Sequence, residues 1–213
     1  MIKILTVLFI LTFSLAAQGL KWEEKTFTHK AKLDEKGVSF SFKARNTGSS
    51  DVVISKGRSS CACMTVKNKF PVTVKAGDSV EIMAYYDFTG KLGLNKGTVY
   101  MTIDGKRDEL RVEIDIPIPV VVNPRFLIWK KNDLTTKDVN IAVHPDYKGS
   151  IDSAECKDKS MGVVAALTKT KKGYSLKITP PSGGLSKKRT WITVAAKDDK
   201  GKSQEYRIYL IFN

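Results

Sequence analysis

The chain has 213 residues, which is long enough for two domains of ordinary size. Hydrophobic residues make up 42% of it, enough to form real cores, and the 27% that are charged carry both signs. This composition excludes an intrinsically disordered chain. The formal net charge of +14 favours attraction to negatively charged partners or surfaces.

The N-terminal residues have the pattern of a secretory signal peptide. Lys3 supplies one positive charge, an apolar run covers residues 4–17, and small residues stand at the cleavage positions. The run is shorter than the ~20 residues that cross a bilayer core, although a retained anchor is the alternative. We expect a signal peptide over residues 1–19, cleaved between Ala16 and Gly19. The mature protein would then be periplasmic or extracellular, without a transmembrane segment.

Short strands follow one another through the first half of the chain. Apolar and polar residues alternate with period two in several segments, and a loop rich in Gly and Lys is expected over 90–97. Asp104-Gly105 favours a hairpin, because glycine tolerates the positive φ of tight turns. Strands are predicted at 38–44, 52–54, 72–74, 80–88, 98–103 and 110–116. About seven short strands at regular spacing predict an immunoglobulin-like β-sandwich over residues 20–122.

A domain boundary is indicated by three prolines. Pro117, Pro119 and Pro124 interrupt the strand pattern, and proline cannot donate to a central ladder. We place the boundary near Val122. Further strands are predicted at 126–129, 139–143, 162–167, 174–178, 190–195 and 205–211, which gives a second, smaller and basic β-sandwich over residues 123–213. The expected fold class is therefore all-β, with two tandem β-sandwich domains.

Cys61 and Cys63 are the residues of greatest chemical interest. In an extended strand, residues i and i+2 project from one face, so both sulfurs would point the same way. Their Cα atoms would be about 6.6–6.8 Å apart, the upper edge of disulfide geometry. Closing a loop of about three residues stabilises a protein by only ~1.6 kcal/mol in the chain-entropy model. An ordinary stabilising disulfide is therefore a poor explanation of this spacing.

Three interpretations of the pair stay open. The two thiols could be buried apolar groups or a local bridge that bends the strand. They could form a redox pair, with Arg58 and Lys67 lowering a thiol pKa. They could also bind a soft metal, copper(I) above all, together with the thioether of Met64, although Met64 should face the opposite way in a regular strand. No other cofactor is expected.

The remaining candidate residues point to no reaction. Cys156 is the odd cysteine, and we expect it to be buried in the second domain. His29 and His144 lie far from the cysteine pair in sequence. The chain shows no Ser/His/Asp order, no clustered carboxylates and no glycine-rich phosphate loop. An enzymatic role is therefore not expected.

The positive charge is concentrated in the second half. Residues 20–122 hold 17 basic and 13 acidic residues, a net of +4, whereas residues 123–213 hold 18 and 9, a net of +9. The clusters could serve solubility and protect strand edges, or attract an anionic envelope polymer. Nucleic acid is not expected, because the clusters lack interleaved aromatic residues and Trp129, Trp191, Tyr206 and Tyr209 alternate as core residues do. The candidate anion-binding residues are Lys169, Lys171, Lys172, Lys187, Lys188 and Arg189.

The order of several segments carries a resemblance. The segments are 21–25, 40–48, the Ser60-Cys61-Ala62-Cys63 step, 76–77, 93–97, 116–117 and 124–129. This order resembles the bacterial domain of unknown function 1573 family, whose usual pattern at the cysteines is Ser-Cys-Gly-Cys-Thr. Cys61 and Cys63 match the family cysteines, whereas Ala62 replaces the glycine and Met64 the threonine. The resemblance implies an immunoglobulin-like fold related to cytoskeletal and cilia-associated binding modules, and an exported location.

These observations favour a non-enzymatic binding or structural module of the bacterial cell envelope. Its partner would be an envelope protein or an anionic envelope polymer, and addition of a partner strand to an exposed sheet edge is one mode of binding. The alternative function is that of a thiol-redox or copper(I)-handling accessory protein, which would act through Cys61 and Cys63.

Overall fold

A computed structural model of the protein describes residues 19–213, so the predicted signal peptide lies outside the described residues except for Gly19. Throughout this part of the chain the elements are β-strands, apart from one 3-10 turn at Lys159–Met161. The all-β prediction is confirmed. In the same residues, no helix has the length and apolar character that crossing a bilayer requires.

The first compact unit ends at Ile116. One of its sheets has the strand order β1-β3-β7-β5 and the other the order β2-β9-β8-β4-β6. All pairings within the unit are antiparallel except that of β2 with β9. The strands are β1 (Leu20–Trp22), β2 (Thr26–Lys30), β3 (Gly37–Asn46), β4 (Val52–Ser59), β5 (Met64–Val66), β6 (Val72–Val74), β7 (Ser79–Asp87), β8 (Gly93–Ile103) and β9 (Lys106–Ile116).

Period-two alternation builds the core of this unit. Along β3, Phe40, Phe42 and Ala44 are buried and their neighbours face outwards, as the pleat requires. The opposing sheet contributes β9, in which Leu110, Val112 and Ile114 are fully buried. β8 and β9 meet at Asp104-Gly105, where both residues have positive φ (46° and 76°), so the predicted hairpin is confirmed. The prediction of an immunoglobulin-like sandwich is likewise confirmed.

The second compact unit covers residues 117–213 and has a core of its own. One sheet has the order β10-β12-β15-β14 and the other the order β11-β17-β16-β13. The strands are β10 (Val120–Asn123), β11 (Phe126–Trp129), β12 (Lys137–Val143), β13 (Ser150–Cys156), β14 (Val164–Thr170), β15 (Gly173–Thr179), β16 (Lys188–Lys197) and β17 (Ser203–Phe212). The chain changes sheets at Pro124, because β10 pairs with β12 and β11 pairs with β17.

Several details differ from the sequence prediction, which also lacked the short strands β1, β2 and β10. The division between the units falls at Pro117 rather than near Val122, because residues 120–123 already pair with a strand of the second unit. The predicted loop over 90–97 is too long: β8 begins at Gly93 and pairs with β9 along its length. β13 was not predicted, because its sequence is polar at most positions and only Ile151 and Cys156 are buried.

Candidate functional site

Cys61 and Cys63 lie in the turn between β4 and β5, where the structure joins them in a disulfide. The prediction of an extended strand here is wrong, because β4 ends at Ser59 and β5 begins at Met64. Their Cα atoms are 5.3 Å apart. This distance lies within the usual range of bridged cysteines and is shorter than the i to i+2 separation in a strand. In this turn the Cα atoms are therefore close enough for a disulfide, whereas in an extended strand they would be at the upper limit of the allowed distance.

Hydrogen bonds tie the turn to both sheets of the first unit. On the five-stranded sheet, the N–H of Ser60 donates to the carbonyl of Thr98, and the N–H of Thr98 donates to the Ser60 hydroxyl, both at 2.9 Å. On the four-stranded sheet, the N–H of Asp87 donates to the carbonyl of Cys63 at 2.8 Å. The disulfide thus sits where the chain crosses between two sheets.

A second set of bonds closes the turn on itself. The carbonyl of Cys61 accepts from the N–H of Met64 at 3.3 Å and from the Ser59 hydroxyl at 2.9 Å. The side chain of Met64 is 2% exposed, and its Cε lies 3.2 Å from the position that a Cβ on Gly97 would take. The thioether therefore packs in the core. A copper(I) site with three sulfur ligands would require Met64 to turn out of it.

The surroundings of the disulfide are partly exposed. Both cysteines are half-buried and Ala62 between them is exposed. The guanidinium of Arg58 lies 5.2 Å from the ring centre of Tyr100, and the ammonium of Lys67 lies 5.7 Å from that of Tyr85. These cations, which the sequence suggested as activators of a thiol, each contact a tyrosine ring.

Asp87, the last residue of β7, is hydrogen-bonded to the disulfide turn through its main chain. The N–H and the hydroxyl of Thr89 both donate to Asp87, and these hydrogen bonds hold the pKa of Asp87 below its ordinary value. Asp87 therefore remains ionised near neutral pH. Its own N–H donates to the carbonyl of Cys63.

Cys156 is buried and free, as predicted. Its Sγ lies 3.5 Å from the carbonyl oxygen of Asp158 and 3.9 Å from the hydroxyl of Thr190. These contacts belong to the core of the second unit. Cys156 therefore serves packing in its own unit.

The six basic candidates lie at opposite ends of the second unit. Residues 169–172 form the exposed tip between β14 and β15, whereas residues 187–189 stand at the start of β16. The hydroxyl of Tyr174, next to the tip, accepts from the N–H of Ile151 at 3.4 Å. The start of β13 pairs with the end of β16 at Lys197, far from residues 187–189. The two clusters therefore do not form one continuous basic surface.

The edge of β11 is open. Among the described residues β11 pairs with β17 alone. The carbonyl of Arg125, just before β11, accepts from the N–H of Tyr209 at 2.8 Å, and the carbonyl of Trp129 accepts from the N–H of Asn213, just after β17, at 3.0 Å. Polar groups of successive strand residues point to alternate sides. Those of Phe126 and Ile128 therefore point away from the sheet. The side chains of Phe126 and Ile128 are 62% and 52% exposed.

An aromatic row extends this edge across the outer face of the sheet. Phe126 pairs in register with Tyr209, and Tyr209 pairs with Trp191 on the next strand. The rings of Phe126 and Tyr209 stack at 5.1 Å, and Arg207 lies 5.3 Å from the Trp191 ring. The prediction that Trp191 and Tyr209 are core residues is wrong, because their sequence neighbours occupy the core positions; Trp129 is buried as predicted.

A family model described as "Protein of unknown function (DUF1573)" matches residues 20–117, which is the first unit. This match covers 98 of the 213 residues and shows that the first unit is similar to DUF1573 domains. The family resemblance read from the sequence is therefore confirmed, and the disulfide turn lies inside the matched residues while β11 lies beyond them. No curated protein matches the chain.

Several solved structures are similar to the chain at low identity. A protein of unknown function from Porphyromonas gingivalis is 11% identical, with 90% of this chain and 99% of that chain covered and a TM-score of 0.39. The YadV chaperone is 12% identical over 90% and 99%, with a TM-score of 0.35. The Vibrio cholerae VesB protease is 19% identical over 45% of this chain and 31% of its own, with a TM-score of 0.36. This chain thus spans about a third of that protease, and at these TM-scores the likenesses carry no argument about function.

Proposed function

We propose that the protein is an exported, non-enzymatic binding module of the bacterial cell envelope, and that the edge of β11 receives an extended segment of a partner protein. The open main-chain groups of Phe126 and Ile128, next to their exposed side chains, carry the proposal. Natural edge strands are usually charged, interrupted by proline or covered. β11 is short, but its open edge carries large exposed apolar side chains, and these favour strand addition.

The chemistry of the edge selects a polypeptide. A strand offers N–H and C=O groups at the spacing that β11 presents, whereas a polysaccharide or a lipid does not. Because β11 has only four residues, main-chain bonds alone give a weak complex. Apolar side chains of the partner would contact Phe126 and Ile128 and reach the stacked ring of Tyr209, which adds buried area.

Site-specific cross-linking in cells tests this proposal. The mature chain would carry a photoreactive amino acid at Phe126, with Val164 as the matched control, since Val164 is 60% exposed on the edge strand β14. We expect adducts from position 126 that map to one extended segment of an envelope protein and disappear in an Ile128→Pro variant. Equal adducts from both positions, or adducts to polysaccharide alone, would contradict it.

The same cells test export. The N-terminal sequence of the protein in the envelope fraction should begin between Ala17 and Leu20, because cleavage is expected between Ala16 and Gly19. An intact leader on protein recovered from the cytoplasm would overturn the exported part of the proposal.

The salt dependence of binding tests the alternative partner. If the partner is an anionic polymer, binding should weaken as the salt concentration is raised, because salt screens charges.

A further inference from the structure

We expect the disulfide between Cys61 and Cys63 to stabilise the fold less than a bridge that closes a long loop. It closes a loop of about three residues, for which chain entropy gives about 1.6 kcal/mol. Both cysteines are also half-buried at the border of the core, whereas the disulfide of antibody domains joins the two sheets inside the core. A bridge with these two properties needs another explanation.

The turn is held in place without the bridge. Ser60 exchanges two hydrogen bonds with Thr98, Cys63 accepts one from Asp87, and Cys61 accepts one from Met64. None of these bonds uses a sulfur atom. We therefore expect the two cysteines to stay side by side, and both sheets to stay intact, when the disulfide is opened.

We propose that Cys61 and Cys63 form a thiol–disulfide exchange site that accepts two electrons from a partner dithiol. A thiolate of the partner attacks one sulfur of the bridge; the S–S bond breaks, a mixed disulfide forms, and the other cysteine leaves as a thiolate that takes up a proton. The second thiolate of the partner then attacks the mixed disulfide and releases the remaining cysteine, which is protonated in turn. The partner leaves as a disulfide, and the two protons it lost are matched by the two gained at Cys61 and Cys63.

The geometry suits an acceptor that is attacked from outside. Ala62 at the tip of the turn is exposed and small, so its side chain offers little obstruction to an approaching thiolate. Arg58 and Lys67 each lie over a tyrosine ring, and the attacking thiolate is expected to come from the partner. The buried thiol of Cys156 takes no part.

The test uses the mature chain with Cys156→Ala and dithiothreitol as the dithiol, and follows free thiols by alkylation and mass spectrometry. We expect the folded protein to be reduced within about tenfold of the rate found in concentrated urea, because the bridge is open to attack without unfolding. The far-ultraviolet spectrum should not change on reduction. Reduction that proceeds only as fast as global unfolding would overturn the proposal.

Single-cysteine variants separate exchange from other roles. In the same background, Cys61→Ser and Cys63→Ser each leave one thiol, and at least one variant should form a mixed disulfide with an aromatic disulfide probe while still folded. Thiols that are unreactive in both folded variants would overturn the proposal, as would a reduced protein that binds copper(I) one-to-one yet does not exchange with the probe. Ile128→Pro should leave the reduction rate unchanged, so failure here is distinguishable from failure of strand addition at β11.

Discussion

Asp108 shows how a single side chain can fix the path of the chain. Its two carboxylate oxygens accept hydrogen bonds from the indole N–H of Trp22 at 2.9 Å and from the ammonium of Lys25 at 2.6 Å. Trp22 ends β1 in one sheet and Lys25 precedes β2 in the other. Burial acts to raise the pKa of Asp108, but the hydrogen bonds from Lys25, the N–H of Glu109 and Trp22 outweigh it and lower the pKa.

The lowered pKa of Asp108 predicts a loss of stability in acid. A carboxylate whose pKa is lower in the folded state stabilises the fold above the unfolded pKa, and this contribution disappears as pH falls through the folded value. We expect the free energy of unfolding to fall below about pH 4, and to fall less steeply in Asp108→Asn, with a difference of about 1 kcal/mol or less for this partly exposed group. Urea unfolding of both proteins between neutral and acid pH measures the two slopes. Identical slopes would contradict the assignment to Asp108.

Gly57 on β4 supports a second prediction for a single residue. A Cβ at this position would lie 2.5 Å from the ring of Phe70, which covers the strand. Gly57→Ala should therefore displace the ring and destabilise the protein by about 1–3 kcal/mol. In a Phe70→Ala background the same change should cost much less, because the obstructing ring is gone; a double-mutant cycle by urea unfolding measures the coupling. Additive effects would show that the ring is not what excludes a side chain.

At the scale of elements, the edge of β11 gives a matched pair of variants. The N–H of Ile128 points away from β17, so Ile128→Pro removes an open donor and no ladder bond. The N–H of Leu127 points to β17 and its side chain is 6% exposed, so Leu127→Pro removes a ladder bond and a core contact. We expect Leu127→Pro to destabilise the second unit by about 3 kcal/mol or more and Ile128→Pro by much less. Thermal unfolding of both variants measures the two losses of stability. Equal losses would contradict the conclusion that the N–H of Ile128 points away from β17 and that of Leu127 towards it.

Local chemistry explains which elements the sequence could predict. The hairpin at Asp104-Gly105 follows from the positive φ that its turn demands, and β3 follows from alternation. The disulfide turn could not be predicted, because the tight bend depends on hydrogen bonds to β7 and β8, which are distant in sequence. The outward face of Trp191 was also ambiguous, since both sets of alternating residues in β16 contain apolar side chains.

At the scale of the whole molecule, the sequence predicts two sandwiches because each half carries its own set of buried strands. The sequence does not predict which strands lie unpaired at the edge of a sheet, because this depends on the order of the strands in the sheet. β11 is an edge only because the chain changes sheets at Pro124, which leaves four residues beside β17. The concentration of basic residues in the second half is readable from sequence, but their separation to opposite ends follows from the strand registers.

The independence of the two units yields the last prediction. The buried clusters of the two units share no residue, and each holds a full set of core strands. A fragment of residues 117–213 should therefore fold alone, as expected for a domain of about 100 residues, and unfold cooperatively with a β-type spectrum. Its unfolding midpoint in urea should match a transition of the mature chain, and reduction of Cys61 and Cys63 in that chain should leave this transition unchanged. A fragment that stays unfolded, or a midpoint that moves with the redox state of the first unit, would show that the two cores depend on each other.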